Sequence, residues 1–274
     1  MSVKLIALDL DGTTLNSKGR LSPFTERTIN KTTKSGIHVV IATGRAQCSL
    51  PEDILNVPSI EYIITSNGAA ITDMKRELLI YENCIGPKAL EGVYNLLIQH
   101  DFMVEVFLKG KAYVEKHIFE NLEKIGLPDS SVKYVRRTRQ PYAGVLNMMI
   151  KNKEHIENIN INFGNQQDRK VMREKLKLLK DVTITSSMDH NLEIGGATTS
   201  KADALLELCK KLEISTEQMM VCGDSSNDEA MMKIAGLPIA MGNAKESIKR
   251  AAKYITGTND EDGVALAIEK YVLK

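Results

Sequence analysis

Apolar and polar positions along the chain fall into short runs separated by turn residues. The first run, Val3-Lys4-Leu5-Ile6-Ala7-Leu8-Asp9-Leu10, is nearly continuous, the pattern of a strand covered on both faces of a parallel sheet. Ser22-Pro23 opens a helix, with Ser as N-cap and Pro at the first helical position. Ile29 and Thr33 share one face of it, and Gly36 supplies the stop. Ile37 to Ala42 is the second strand, and strand, helix, strand at this length is a βαβ unit. A third strand is predicted at Tyr62 to Thr65. Beyond the Asn67-Gly68 turn signal, Ala70 to Thr72 and Leu78 to Ile80 predict a hairpin-like extension.

From about Glu82 the pattern changes. Pro87 to His100 predicts a helix, followed by β-like runs at Phe102 to Leu108 and Ala112 to Glu115. Ser130 to Gln140 reads as basic and extended, and Leu146 to Lys151 as a strand. The Asn-rich stretch from Asn152 to Gln167 reads as a helix with a loose loop, Asp168 to Lys180 as a charged helix, and Asp181 to Ser187 as a strand. After about His190 the simple alternation resumes. Helices are predicted at Lys201 to Lys211, Asp228 to Ala235 and Val264 to Val272, and strands at Met219 to Cys222 and Pro238 to Met241. There is no internal repeat of solenoid length. The expected architecture is therefore an α/β fold: residues 1–82 and 189–274 form one discontinuous parallel-sheet core, and residues 83–188 an inserted α+β domain.

Composition changes this picture little. The 274 residues suit one large or two modest domains, and 43% hydrophobic with 26% charged residues excludes disorder of the chain as a whole. Lys plus Arg, 36, almost balances Asp plus Glu, 35, which argues against a general polyanion binder. The absence of Trp and the 5% aromatic content argue against base-stacking platforms. No apolar stretch reaches the roughly 20 residues of a membrane-spanning helix, and Lys4 with Asp9 in the first run is unlike a secretory signal. Cys48, Cys84, Cys209 and Cys222 form no C-x-x-C pair and read as buried thiols of a cytoplasmic protein. The five histidines show no ligand spacing, and the Met pairs read as packing.

Candidate chemistry gathers where strands end. Asp9 and Asp11 close the first strand, and two carboxylates so near each other repel unless a cation or proton intervenes. Gly12 lets the chain turn away. Thr43-Gly44 closes the second strand and offers a hydroxyl and a backbone N–H to an anion, or a plain helix cap. Lys201 stands at a helix start, where the macrodipole prefers anions, so it is either a surface lysine or the partner of a bound anion. Gly223-Asp224-Ser225-Ser226-Asn227-Asp228 follows a strand directly. Its carboxylates suit Mg2+, or an acidic capped turn.

In the order Asp pair, Thr, Lys, Asp pair, these segments resemble the haloacid dehalogenase superfamily of phosphatases along essentially the whole chain. Ala7 to Thr13, Ala42 to Arg45, Ser66 to Ala69, Gly223 to Asp228, Ala240 to Ala244 and Thr258 to Ala265 look like its Cof-like branch. The 34 positions from Asp9 to Thr43 leave no room for a large insert, whereas the 158 from Thr43 to Lys201 contain one. The resemblance implies a Rossmann-like core with a C2-type cap that selects the substrate and acts as a lid. It makes Asp9 the nucleophile and Asp11 the general acid and base. It places Mg2+ on the Asp9 carboxylate, the Asp11 carbonyl and Asp224, with Asp228 shaping the shell. It assigns the phosphate to Thr43, Gly44 and Lys201, with Asn227 positioning Lys201 or phosphate, and makes Arg45 and Asn67 substrate-side candidates. Ala202 stands where the family usually has Gly. Lys109, Lys111, Arg136, Arg137 and Arg139 are either solvated charges or contacts for an anionic leaving group.

The implied activity is Mg2+-dependent hydrolysis of small phosphorylated metabolites (sugar phosphates, nucleotides or cofactor phosphates) by a cytoplasmic monomer or homodimer that binds neither nucleic acid nor membrane. Two other readings share these motifs: a phosphohexomutase-like phosphoryl transferase, and a catalytically silent metabolite-binding regulator.

Overall fold

The computed structural model describes residues 2–186 and 188–273. Its strands are β1 (Leu5–Leu8), β2 (His38–Ala42), β3 (Ile60–Thr65), β4 (Ala70–Asp73), β5 (Leu78–Glu82), β6 (Met103–Leu108), β7 (Lys111–Glu115), β8 (Gln140–Tyr142), β9 (Ile156–Asn162), β10 (Val182–Thr185), β11 (Asn191–Gly196), β12 (Met219–Gly223), β13 (Leu237–Ala240) and β14 (Tyr254–Ile255). They form one sheet ordered β14-β13-β12-β1-β2-β3-β4-β5 and a second ordered β10-β11-β9-β6-β7-β8. The chain divides into two compact units. One comprises residues 1–44, 50–81 and 200–274, the other residues 45–49 and 82–199.

In the first unit β1 lies between β12 and β2, parallel to both, and β3 and β13 continue the parallel run. All four residues of β1 and all five of β12 are buried, as expected of central strands covered on both faces. The predicted first helix runs over Pro23–Lys34. Ser22 caps it by accepting the Thr25 N–H at 3.0 Å, and Gly36, at φ +81°, follows its end. Its buried face holds Thr25, Thr28, Ile29 and Thr32, and it packs on the C-terminal helix Gly263–Tyr271.

The second unit departs furthest from the sequence pattern. Residues 129–138 form a helix, not an extended segment. Val132 and Val135 face inward at i, i+3, and the basic side chains that dominate the sequence occupy the other face. Val145–Lys151 is a helix, not a strand, because Val145, Met148 and Met149 are buried at helical spacing. Its first turn is held by the Glu115 carboxylate, which accepts the Gly144 and Val145 N–H groups. A short apolar run carries no period of its own, so packing decided between helix and strand.

The Asn-rich stretch contains β9, a central strand of the second sheet with all seven residues buried. Its Ile159 and Ile161 join Val104, Val106, Leu192 and Ile194 in one apolar cluster. The opposite face is polar: Asn160 stands between Glu105 of β6 and Glu193 of β11, and Asn162 between Met103 and Asn191. Those buried groups satisfy one another. Asn162 donates to Glu105 at 2.9 Å, and Asn191 donates to Asn160 and Glu193 at 3.0 Å each. Arg139, read as a solvated charge or a leaving-group contact, is buried and donates to Glu105 at 2.6 Å while lying over the Tyr134 ring. Because β11 pairs with β9 and β10, the return to the first unit falls at Ser200 and not at residue 189.

The cysteines also differ from expectation. All four are free, but only Cys209 and Cys222 are buried, and Cys48 is exposed. No helix among the described residues is long and apolar enough to cross a membrane.

Candidate active site

Parallel strands deliver their next residues to one edge of a sheet, which is where ligands sit in α/β folds. β1 and β12 are neighbours in register, so Asp9 and Asp224, each just past its strand, emerge side by side. Asp9 is held there by its N–H to the Cys222 carbonyl at 3.0 Å and by the Thr14 hydroxyl on its own carbonyl at 2.5 Å. Gly12 adopts φ +78°, and a Cβ on it would stand 2.7 Å from Asp224 Oδ2, so only glycine lets this turn close over Asp224. Thr13, which carried no signal of its own in the sequence, donates its hydroxyl to Asp224 Oδ1 at 3.1 Å. Asp11 is exposed, one turn further out.

Lys201 is fully buried and bridges two carboxylates. Its Nζ lies 2.6 Å from Asp9 Oδ1 and 2.7 Å from Asp228 Oδ1. Its helix, Lys201–Lys211, is capped by Ser200, whose hydroxyl accepts the Asp203 N–H at 3.1 Å. Ala202 packs into the core of the first unit. Asp228 spends its other oxygen on the Asp224 and Ser225 N–H groups at 3.0 Å each, so it braces the turn that presents Asp224.

A second cluster sits at the end of β2. Thr43 is buried and anchored through its N–H to Ile64 at 2.9 Å, and its carbonyl accepts the Asn67 N–H at 3.0 Å. Ser66 and Asn67 both adopt left-handed φ, 50° and 57°, a strained pair that turns the Asn67 side chain into the structure. A Cβ on Gly44 would lie 3.0 Å from Asn67 Oδ1, so the backbone there runs close against that amide. Gly68, at φ +106°, allows the same turn to touch Ser200, whose carbonyl a Cβ would approach to 2.1 Å. Asn227 donates to Asn67 Oδ1 at 3.0 Å and accepts from the Ser225 hydroxyl at 2.6 Å. Asn227 thus joins the Asp224 turn to Asn67, whereas Lys201 is oriented by the two aspartates. Arg45 belongs to the second unit, where it donates to the Ser49 carbonyl at 2.9 Å and lies over the Tyr134 ring.

Three carboxylates and one ammonium in a buried site leave excess negative charge. Burial, then Asp228, push Asp9 well above the ordinary carboxylate range despite the pull of Lys201. Burial and Asp228 likewise push Asp224 up to about 6. Burial works to lower the Lys201 pKa, but Asp228 and Asp9 outweigh it and hold the ammonium charged. Ligand oxygens of Asp9, Asp224 and Asp228 all lie within 4.8 Å of one another. Asp9 Oδ2 is buried with no hydrogen-bond partner. Hard oxygen donors, surplus negative charge and an orphaned carboxylate oxygen together fit a small divalent cation such as Mg2+.

A parallel sheet presenting such a carboxylate–lysine cluster beyond its central strands, with a second α+β unit inserted, defines a class of hydrolases. The chain belongs to the haloacid dehalogenase-like hydrolases, whose family profile matches residues 6–268. Its curated relatives are phosphatases. It is 32% identical to phosphatase YwpJ of Bacillus subtilis, over 96% of this chain and 98% of that protein. It is also 32% identical to the 5-amino-6-(5-phospho-D-ribitylamino)uracil phosphatase YcsE of the same organism, over 100% of this chain and 97% of that one. The solved structure of a haloacid dehalogenase-like hydrolase from B. subtilis superposes with a TM-score of 0.85 at 30% identity, covering 98% of this chain and all of that one.

Proposed function

We propose that this hydrolase is a Mg2+-dependent phosphatase of small phosphorylated metabolites that works through an aspartyl-phosphate on Asp9. The observation that carries the reading is the Asp9 carboxylate, bound to buried Lys201 through one oxygen and without a hydrogen-bond partner on the other. In the first step Asp9 attacks phosphorus, the phosphorus–oxygen bond to the leaving group breaks, and Asp11 in its acid form protonates the departing oxygen. In the second, the Asp11 carboxylate takes a proton from water as that water attacks the phosphorus, releasing inorganic phosphate and regenerating Asp9. Thr43, the Gly44 N–H and Lys201 hold the phosphoryl oxygens, and Asn227 and Asn67 fix the turns that position them. Asp9, the Asp11 carbonyl and Asp224 would hold Mg2+, which when bound neutralises phosphate and carboxylates together.

The second unit supplies leaving-group selection. Its sheet carries a buried polar face at Asn158, Asn160, Asn191 and Glu193, whose last three groups bond one another while Asn158 Oδ1 has no hydrogen-bond partner. Mixed donors and acceptors of this kind suit a hydroxyl-rich group such as a sugar or polyol, and the ribitylamino substrate in the name of one relative supports the same class. Incubation with p-nitrophenyl phosphate and a panel of sugar, nucleotide and cofactor phosphates should release phosphate only with Mg2+. Release no greater than from Asp9→Asn across the panel would overturn the proposal.

A further inference from the structure

The backbone turn that carries Asp11 bridges Asp11 to Leu15, and it is gripped at both ends from the C-terminal part of the first unit. Asn243 donates through Nδ2 to the Gly12 carbonyl at 2.8 Å. Its Oδ1 accepts the Asn259 N–H at 3.0 Å, and Asn259 donates through its own Nδ2 to the Leu15 carbonyl at 2.9 Å. Asp260 adds a bond from the Ser17 N–H at 2.8 Å. The segment carrying Asn243 is itself tied to the other catalytic turn, since the Lys245 N–H donates to the Asp224 carbonyl at 3.0 Å and the Met241 N–H to the Gly223 carbonyl at 3.1 Å.

We infer that Asn243, with Asn259, is a positioning residue for Asp11: the pair clamps the Gly12–Leu15 turn and so sets where the general acid stands relative to the Asp9–Asp224 cluster. A glycine at φ +78° directly after Asp11 leaves that turn many alternative conformations. The two Asn side chains remove them by fixing the carbonyls on either side of Thr13 and Thr14. Position 243 needs a side chain that donates and accepts at once, because the carbonyl of Gly12 takes a donor and the N–H of Asn259 an acceptor, and the Asn amide supplies both.

The inference rests on the phosphatase reading, and leaving-group dependence tests it. An alkyl phosphate needs its leaving oxygen protonated, whereas p-nitrophenolate departs without a proton. Asn243→Ala, and the isosteric Asn243→Asp, which keeps the acceptor but sets a second acceptor against the Gly12 carbonyl, should lose about tenfold or more in kcat/KM, which reports the leaving-group step, on an alkyl phosphate beyond any loss on p-nitrophenyl phosphate. Amide exchange at Thr14 and Leu15, which both donate to the Leu10 carbonyl, should accelerate in the same variants. Equal losses on the two substrates with unchanged exchange would overturn the clamp, because a general loss of folding or of metal affects both substrates alike. A wild type that turns over neither substrate would overturn the phosphatase reading instead, and the exchange measurement would still decide whether Asn243 holds the turn.

Discussion

At the scale of single residues, Lys201 has the most exacting position. A fully buried ammonium is costly unless paired, and Asp9 and Asp228 both pair with it. Lys201→Met removes the ammonium that bridges Asp9 and Asp228 and leaves those two buried carboxyl groups facing each other. Urea unfolding without divalent cations should show a loss of about 3–5 kcal/mol, the cost of breaking a buried pair from one side. Phosphatase turnover should also vanish, since the phosphoryl oxygens lose their buried charge. A variant as stable as wild type would mean that Asp9 takes up a proton and that the pair contributes no net stability. The residues legible from sequence were Asp9, Thr43 and Asp224 at strand ends and Lys201 at a helix start, because an apolar strand pointing at a polar group, or a lysine where the helix dipole prefers an anion, is visible in one dimension. Thr13, Gly68 and Asn243 were not assigned roles, because each acts through a partner far along the chain.

At the scale of elements, charged side chains also tie strands together away from the site. Glu61 on β3 bonds both His38 of β2 and Lys75, which follows β4. Burial raises the Glu61 pKa, but the bonds from Lys75 and His38 outweigh it and leave the carboxyl below its ordinary value of 4.5. A depressed folded-state pKa means that the unfolded chain binds the proton more tightly. The stabilisation is therefore complete above pH 4.5 and is lost as the pH falls through the lower folded value. Glu61→Gln should flatten that acid-side fall by roughly 0.5 kcal/mol, because its lysine partner is mostly solvated. Denaturation curves at pH 3.5 and pH 7 compare the two proteins, and an unchanged difference between those pH values would refute the linkage. Elements of the second unit were harder to read from sequence. β9 alternates Ile with Asn, and its asparagines are buried only because Glu105, Asn191 and Glu193 arrive from other strands to bond them.

At the scale of the whole molecule, the near-neutral charge of +1 conceals a concentrated anionic point in the first unit. If Asp9 and Asp224 hold Mg2+, the cation binds the folded protein and not the unfolded chain. At about 100 times its Kd it should add roughly 2.7 kcal/mol, a rise in Tm of about 5 °C. Differential scanning fluorimetry with MgCl2 and with EDTA reads this directly. Asp224→Asn should lose most of the shift, and an identical shift in that variant would place the cation elsewhere.

The sequence by itself determined the parallel core, the strand-end carboxylates and the presence of a large insert between Thr43 and Lys201. Those features depend on local hydrophobic period, turn residues and spacing, all of which are written along the chain. Tertiary structure alone decided which way residues 129–138 and 145–151 fold, that β11 belongs with β9, and that Arg139 is buried against Glu105. It also decided that Asn227 and Asn67 bond each other across 160 positions and that Asn243 reaches the turn beside Asp11. The physical reason is common to all of them. A polar or short apolar segment takes its conformation from the partners that satisfy its hydrogen bonds and cover its faces, and those partners are chosen only when distant parts of the chain meet.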